Sequence, residues 1–363
     1  PLFRGACVDA GVNPYLFAFA NIREHCSWVH MREPEKATEK AKDIVRMAIA
    51  RASFLKPQEE SEVPVDPTAL VIGGGISGIT SALCLANQGF KVYLVEKEPE
   101  LGGMLKKIYK LYPTDEEASK VLEASINAVM SHKNINTLTS TNIKSVDGYI
   151  GNFEVTALKD GEENKFKVGT VIIATGAVEF KPVGMYGYDQ YDRVLTQVDL
   201  EKVLLSGKSE MDKFFKPQRV AMIQCVGARE EKPPRAYCSR ICCMVAVKNA
   251  GIIKEWYPDS EVYIIYQDMQ TYGKDYEDHH KKAREAGIKF INYTKETPPE
   301  VVLLPDNRLR VTVYHALLGE KRELDCDFVV LSTPLVQQET AKELSKTLKV
   351  PLGQDEFFLE AHV

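Results

Sequence analysis

Ala37, Ala41, Ile44, Val45, Ala48 and Ala52 recur at i, i+4 and i+7 behind Pro34, with charged residues between them. The spacing predicts an amphipathic helix from Pro34 to about Ala52. Residues 1–31 read as helical with an aromatic turn, Asn13-Pro-Tyr-Leu-Phe17. Residues 56–67 are rich in Pro and Glu and read as a solvated linker. From Ala69 the pattern becomes strand, helix, strand: Ala69–Ile72, Ile76–Asn87 with small residues on its inner face, and Lys91–Val95. A helix near 116–131 and strands near 135–139, 143–147, 152–158 and 166–173 follow. A second α/β region is predicted as strand 219–224, helix 240–255, strand 262–266, helix 274–286 and strand 288–292. Strands near 308–314 and 327–332 close it. There are no repeats and no low-complexity segment.

Composition adds limits. With 363 residues, 44% hydrophobic and 27% charged, the chain suits a globular protein with two or three cores. No apolar run reaches the roughly 18 residues of a membrane span, and no signal-peptide pattern opens the chain. The net charge of −5, without a basic block, argues against nucleic acid or anionic membrane as partners. A cytoplasmic, reducing location is expected. Four of the eight cysteines crowd together, as Cys225, Cys238, Cys242 and Cys243. In a reducing compartment such a group more often holds metal or does redox chemistry than forms structural disulfides.

Gly73, Gly75 and Gly78 fit G-x-G-x-x-G between a predicted strand and a predicted helix. Gly73 permits the tight turn, Gly75 lets the backbone approach a pyrophosphate, and Gly78 lets the helix pack on the sheet. Ile76, Ser77 and Gly78 then offer unpaired N–H groups at the helix start. Glu96 ends the second strand, where a carboxylate accepts both ribose hydroxyls. Two further segments point to FAD. Glu96 and Lys97 lead into Leu101-Gly-Gly-Met104, similar to the acidic residue and Leu-Gly-Gly run of flavoproteins with two dinucleotide-binding domains; its Gly102, Gly103 and Met104 join the candidate site. Val171-Ile-Ile-Ala-Thr-Gly176 resembles their strand end beside the cofactor, which adds Ala174, Thr175 and Gly176.

The second α/β region has no such loop. Its first strand, Arg219-Val-Ala-Met-Ile-Gln224, runs into Cys225-Val-Gly-Ala-Arg-Glu230, where Gly227 stands alone. NAD(P)H binding is therefore not expected. The turn carries thiols instead, spaced Cys225-x12-Cys238-x3-Cys242-Cys243. Four thiolates suit an iron–sulfur cluster. The spacing itself also admits zinc, a redox disulfide or unligated thiols, although it is neither a ferredoxin pattern nor paired zinc knuckles. A Cys242–Cys243 bridge is disfavoured, because neighbouring Cα atoms lie only about 3.8 Å apart.

At these residues the chain resembles the A-subunit of heterodisulfide reductase, the FAD-containing iron–sulfur subunit of that family. The resemblance covers nearly all of the chain, including Asn21-Ile-Arg-Glu-His-Cys-Ser-Trp-Val-His30, Gln224-Cys-Val-Gly-Ala-Arg229 and Tyr237-Cys-Ser-Arg-Ile-Cys-Cys-Met-Val-Ala-Val-Lys248. It implies two Rossmann-like domains as in thioredoxin reductase, after a small helical N-terminal segment. The expected organisation is 1–55 helical end of an N-terminal domain, 56–67 linker, 68–180 FAD domain, 181–335 degenerate NAD-type domain, and 336–363 return to the FAD domain. It implies FAD and a [4Fe–4S] cluster on Cys225, Cys238, Cys242 and Cys243. Lys248 is implied as a residue that tunes the flavin, and Cys26 as a ligand of a further N-terminal cluster.

The methanogen form carries a cysteine after the Leu-Gly-Gly run and then an inserted ferredoxin; here Leu111-Tyr-Pro-Thr-Asp-Glu-Glu117 has no cysteine, and nothing ferredoxin-like stands before Val171. The chain also starts inside a family motif and stops before the strand that completes the FAD site, so a fragment is expected. Cys84 and Cys326 read as core thiols, Cys7 has no assigned role, and His279-His280 reads as a solvated helix face. The implied function is an oxidoreductase subunit for electron transfer, in flavin-based bifurcation or confurcation. Its expected partners are the other subunits, ferredoxin, and a hydrogenase-, formate dehydrogenase- or NADH-linked donor, with a homodimer inside the complex. Two alternatives stay open: the flavin subunit of the membrane-associated, quinone-interacting complex serving adenylylsulfate reductase, and an NAD(P)H-dependent disulfide oxidoreductase without a cluster.

Overall fold

A computed structural model describes residues 2–214 and 216–360. The chain forms two compact units that divide between Pro64 and Val65.

In the first unit, α1 (Leu2–Asp9) precedes a short 3-10 turn at Pro14–Leu16 and a π-type turn at Arg23–Ser27. These short pieces replace the helix expected over 1–31; Pro14 interrupts it early, since proline has no N–H to donate. Helix α2 (Pro34–Ala52) has the bounds its apolar period predicts. Ala37, Ala41, Ile44, Ala48 and Ala52 are half-buried, whereas Val45 is exposed. The start of the linker is held within this unit: Asn13 donates through Nδ2 to the Gln58 carbonyl (2.8 Å), and the Tyr15 hydroxyl donates to Glu60 (3.0 Å).

The second unit is built on two parallel sheets. The first strand, β1 (Ala69–Ile72), is followed by α3 (Ile76–Asn87), β2 (Val92–Val95), α4 (Ala118–Ser131) and β3 (Ile135–Leu138). An antiparallel meander of β4 (Thr141–Tyr149), β5 (Asn152–Lys159) and β6 (Glu162–Val168) leads to β7 (Thr170–Ile173). The sheet order β3-β2-β1-β7 puts β1 in the middle, parallel to β2 and β7. Both faces are covered. Val71 packs under α3 and α4, while Leu70 and Ile72 pack against the meander. Alternate strand side chains point to opposite faces, which is why an unbroken apolar run suits a doubly covered strand. Full burial of Leu70 or Ile79 contributes roughly 1.5–3 kcal/mol each.

The single strand expected over 166–173 is two strands in different sheets. The break is at Gly169, whose N–H donates to the Thr68 carbonyl (2.8 Å) and whose carbonyl accepts from Gly151.

The chain then passes through β8 (Val178–Glu179), β9 (Val194–Thr196), α5 (Gln197–Leu205) and α6 (Lys208–Phe214). The second parallel sheet takes β10 (Arg219–Ile223), α7 (Cys242–Trp256), β11 (Glu261–Tyr266), α8 (Tyr276–Glu285) and β12 (Lys289–Asn292). A second meander, β13 (Glu300–Leu303), β14 (Leu309–His315) and β15 (Glu320–Cys326), returns the chain to β16 (Phe328–Leu331). The order is β12-β11-β10-β16-β9, with β10 central. Val220 and Met222 face α5 and α7; Ala221 and Ile223 face the meander. Finally β17 (Leu335–Val336) pairs antiparallel with β8, and α9 (Ala341–Leu348) packs through Leu344 and Leu348 on the first meander's core.

Candidate functional site

The glycine loop stands at the carboxyl end of β1, where α/β sheets bind ligands. Gly73 has φ +111°, and a Cβ there would overlap the Ala174 carbonyl at the end of β7. A Cβ on Gly78 would overlap the Gly73 carbonyl, so α3 begins in contact with the turn. Gly75, by contrast, has open space where its Cβ would be. It precedes α3 without a side-chain cap, leaving the N–H groups of Ile76, Ser77 and Gly78 outside the helix ladder. A Gly75–Gly102 bridge and the bond from Gly102 N–H to the Gly74 carbonyl (2.8 Å) press the Leu-Gly-Gly run on the loop. Glu96 is buried and accepts from the N–H groups of Gly74 (2.5 Å) and Glu98 (2.9 Å). This open backbone cradle with a fixed carboxylate fits the ADP half of a dinucleotide.

Gln338 belongs to the same surroundings, and no motif in the sequence marks it. Its side chain donates to the Thr175 carbonyl (2.5 Å) and accepts from Lys97 (2.7 Å), linking β7's end to the segment after Glu96. A weaker signal exists: Val329-Val-Leu-Ser-Thr333 echoes the apolar strand ending in small residue and threonine of Val171–Thr175.

At the carboxyl end of β10 the four cysteines line one cavity of about 250 Å³, with Arg229, Arg240, Asp268 and Gln270. Cys225 follows β10 in a left-handed conformation, φ +62°. Residues 229–237 fold back through Arg229 N–H to the Tyr237 carbonyl (3.1 Å) and Glu230 N–H to the Arg235 carbonyl (3.0 Å). The Tyr237 hydroxyl donates to the Leu335 carbonyl (2.6 Å), and Ser239 accepts from Leu335 N–H (2.9 Å), fixing Cys238 between them. Cys242 and Cys243 form the first turn of α7. Their thiols donate to the carbonyls of Thr333 (3.3 Å) and Asp268 (3.7 Å). All eight cysteines are free thiols. Among the described residues no three His, Cys, Asp or Glu side chains converge as ligands of one ion; the four cysteines line one cavity instead.

Burial and mutual repulsion favour the protonated form of Cys225, Cys242 and Cys243. Burial pushes Cys225 up to about 11, with Cys243 nearby adding to it. It pushes Cys242 up to about 12, with Cys243, Cys225 and Cys238 adding to it, and Cys243 also upward. Reactivity follows the thiolate and its access. In metal-free protein at pH 8, we expect a maleimide to label the exposed Cys84 and Cys238 first and Cys242 and Cys243 last. Peptide mass spectrometry over a labelling time course reads the order; early loss of Cys242 would contradict this burial.

Three expected placements need correction or completion. Cys84 is exposed, because α3 buries Gly78, Ile79, Ala82 and Ala86 and Cys84 lies off that stripe. The histidine pair is not a solvated face: His280 is 14% exposed and packs edge-on against Phe290 with centroids 4.7 Å apart, and burial lowers the pKa of His279. Lys248 lies buried, in an ion pair with Glu201, and donates to the Lys110 carbonyl (2.8 Å). Burial pulls its ammonium below the usual lysine range, and Glu201 opposes that. Cys326 is core as read, and Cys26 is buried with its thiol donating to the Ala37 carbonyl (2.9 Å).

Residues 67–228 match the pyridine nucleotide-disulphide oxidoreductase family. The A-subunit of the H2:CoB-CoM heterodisulfide,ferredoxin reductase of Methanothermobacter marburgensis is 38% identical, over all of this chain and 67% of that protein. The chain belongs to the heterodisulfide reductase A-subunit family. The iron–sulfur A-subunit of the CoB–CoM heterodisulfide reductase of Methanocaldococcus jannaschii is 37% identical, over all of this chain and 68% of that protein. Both alignments are longer than this chain, 447 and 448 positions, so these heterodisulfide reductase subunits carry stretches it lacks. The fold is that of two Rossmann-like domains. Thioredoxin reductase of T. acidophilum (18% identity, TM-score 0.50, 82% of this chain and 86% of that one) shares it. So does that of Lactococcus lactis (16%, TM-score 0.51, 82% and 85%). Membership in the family makes the chain an oxidoreductase, and no helix among the described residues is long and apolar enough to cross a membrane.

Proposed function

We propose that this chain is the FAD- and [4Fe–4S]-carrying electron-transfer subunit of a heterodisulfide reductase-like complex, working in flavin-based electron bifurcation or confurcation. One observation carries the reading: Cys225, Cys238, Cys242 and Cys243 meet around one cavity where the second parallel sheet has lost its glycine loop. Four cysteines lining a cavity without converging on one point suit a multi-atom cluster better than a single ion, whose ligands must all reach it at about 2.3 Å. Two of them sit at the start of α7, whose positive end favours thiolate. Metal binding also offsets the cost of ionising crowded, buried thiols.

FAD binding is assigned to residues 68–180. Gly73, Gly75, Ile76, Ser77 and Gly78 would hold the pyrophosphate and Glu96 the ribose. Lys97, Gly102, Gly103, Met104, Ala174, Thr175 and Gly176 would wall the site. The cluster is assigned to residues 181–335. FAD and the cluster, when bound, supply conversion between paired and single electrons. The chain's own part is to bind both, exclude water, and place charge beside them. Lys248, its cation balanced by Glu201, is assigned to the flavin's surroundings.

The names of the relatives give H2 or formate, ferredoxin and CoB–CoM heterodisulfide as what those proteins act on. We extend the same classes to this chain: a dehydrogenase- or hydrogenase-linked donor, ferredoxin, and disulfide-reducing partner subunits. A Cys242–Cys243 redox pair is disfavoured, because neighbouring Cα atoms lie only about 3.8 Å apart, below the usual disulfide range. The test is replacement of each of the four cysteines by serine in anaerobically purified protein. Each variant is expected to lose cluster iron and keep FAD. Iron retained at the native level in all four would overturn the assignment.

A further inference from the structure

The cavity that the four cysteines share also has charged walls. Arg229, Arg240 and Asp268 line it together with Cys225, Cys238, Cys242 and Cys243. Arg229 is set in place by the backbone. It takes a left-handed conformation, φ +57°, which residues other than glycine seldom adopt. Its N–H donates to the Tyr237 carbonyl (3.1 Å), next to Cys238. Its guanidinium pairs through Nη2 with Asp268 Oδ2 (2.7 Å) and hydrogen-bonds the Cys225 thiol. Asp268 stands beside Cys243, whose thiol donates to its carbonyl (3.7 Å). One ion pair, drawn from the loops after β10 and β11, thus reaches the surroundings of both Cys225 and Cys243. Arg240 differs: its side chain is exposed, and its backbone N–H donates to the Cys238 sulfur (3.4 Å).

The Arg229 and Asp268 side chains are 35% and 59% exposed. An ion pair this open to water adds little to stability, so its place on the cavity wall calls for another explanation. The potential of an iron–sulfur site is set by net charge, hydrogen bonds to the sulfurs and solvent exposure. One electron entering a cluster held by four thiolates adds negative charge to an anion. A cation at one sulfur favours that reduced form, as does a hydrogen bond donated to the sulfur; a nearby carboxylate opposes it. Arg229 supplies both favourable effects at Cys225, and Asp268 supplies the opposing one.

We infer that Arg229 sets the reduction potential of the cluster: its guanidinium at the Cys225 sulfur raises the potential, while Asp268 holds that guanidinium in place and limits the rise. The inference rests on the cluster assignment proposed above. The partial exposure of the pair keeps the effect moderate, because water and salt screen it.

The test uses native protein purified anaerobically, with Arg229→Gln, Arg229→Lys, Asp268→Asn and Arg240→Gln. Titration with dithionite, followed by the electron paramagnetic resonance signal of the reduced cluster, gives the midpoint potential, and iron content is read alongside. Arg229→Gln is expected to make reduction about tenfold less favourable, which is about 59 mV lower for a one-electron couple. Arg229→Lys should recover most of that shift, and Asp268→Asn should move the potential upward. Loss of local structure alone does not give opposite signs for the two members of one ion pair. A native potential in Arg229→Gln, shifts of the same sign in Arg229→Gln and Asp268→Asn, or a larger shift in Arg240→Gln than in Arg229→Gln would overturn the inference. If Arg229→Gln loses its iron, Asp268→Asn decides: an upward shift supports the inference and an unmoved potential overturns it. An intact cluster with an unmoved potential sinks this inference alone, whereas native protein free of iron sinks the cluster assignment and this inference with it.

Discussion

Gly75→Ala is expected to leave the cofactor-free fold as stable as the native chain and to weaken FAD binding at least about a hundredfold. The two effects separate because the glycines have different tasks. A Cβ at Gly75 meets no atom within 4 Å, so the fold has room for alanine. That room is the backbone approach the pyrophosphate needs. A hundredfold loss is about 2.7 kcal/mol, a reasonable loss for a methyl held where a phosphate should lie. Gly78→Ala has the opposite balance. Its Cβ would overlap the Gly73 carbonyl, so α3 must move off the sheet or the turn must open. Overpacking of this kind costs about 1–3 kcal/mol, and FAD is lost together with stability. Thermal melts of cofactor-free protein and FAD titration separate the two. Native FAD affinity in Gly75→Ala would remove this loop from the cofactor site.

Glu201→Leu is expected to destabilise the chain by about 3–5 kcal/mol, because it leaves the Lys248 ammonium buried without its carboxylate. Both side chains are almost wholly buried, at 2% and 3% exposure. The loss also frees the Tyr109 N–H, which donates to Glu201 (2.9 Å). The deficit should depend on pH in a definite direction. In the variant the Lys248 pKa falls further below the unfolded value of about 10.4. Between those two values the unfolded chain binds more protons than the folded one, so stability rises with pH. The variant should therefore regain part of its deficit as the pH rises toward about 10, relative to native protein. Glu201→Leu combined with Lys248→Met should recover most of it at all pH values, since removal of a whole buried pair is often close to neutral. Denaturant unfolding at several pH values measures each. A deficit below about 1 kcal/mol in the single variant would contradict the buried pair.

What is legible in the sequence is what local sterics dictate. Gly73, Gly75 and Gly78 have tasks set within one turn, and the helix behind them has the bounds its pattern predicts. Helix α2 is likewise bounded by Pro34 and its alanine period. The thiol cluster is legible as a spacing. That the four cysteines share a cavity is not, since Asp268 and Gln270 close it from another part of the chain. The exposure of Cys84 follows from its place on one stripe with Ser77, Thr80, Ser81 and Asn87, a polar signal that the apolar character of a thiol masks. The burial of His280 is hidden because its neighbour, Phe290, lies beyond the helix on β12. Glu201 and Gln338 carry no local signal for the same reason: their partners Lys248 and Thr175 are 47 and 163 residues away.

The most direct test is the iron, acid-labile sulfide and FAD content of anaerobically purified protein, read with its visible spectrum. The expected result is one FAD for each chain, about four iron and four sulfide for the cluster at Cys225, Cys238, Cys242 and Cys243, and brown absorbance near about 400 nm that dithionite bleaches. A yellow protein saturated with FAD but free of iron and sulfide would contradict the cluster at these four cysteines.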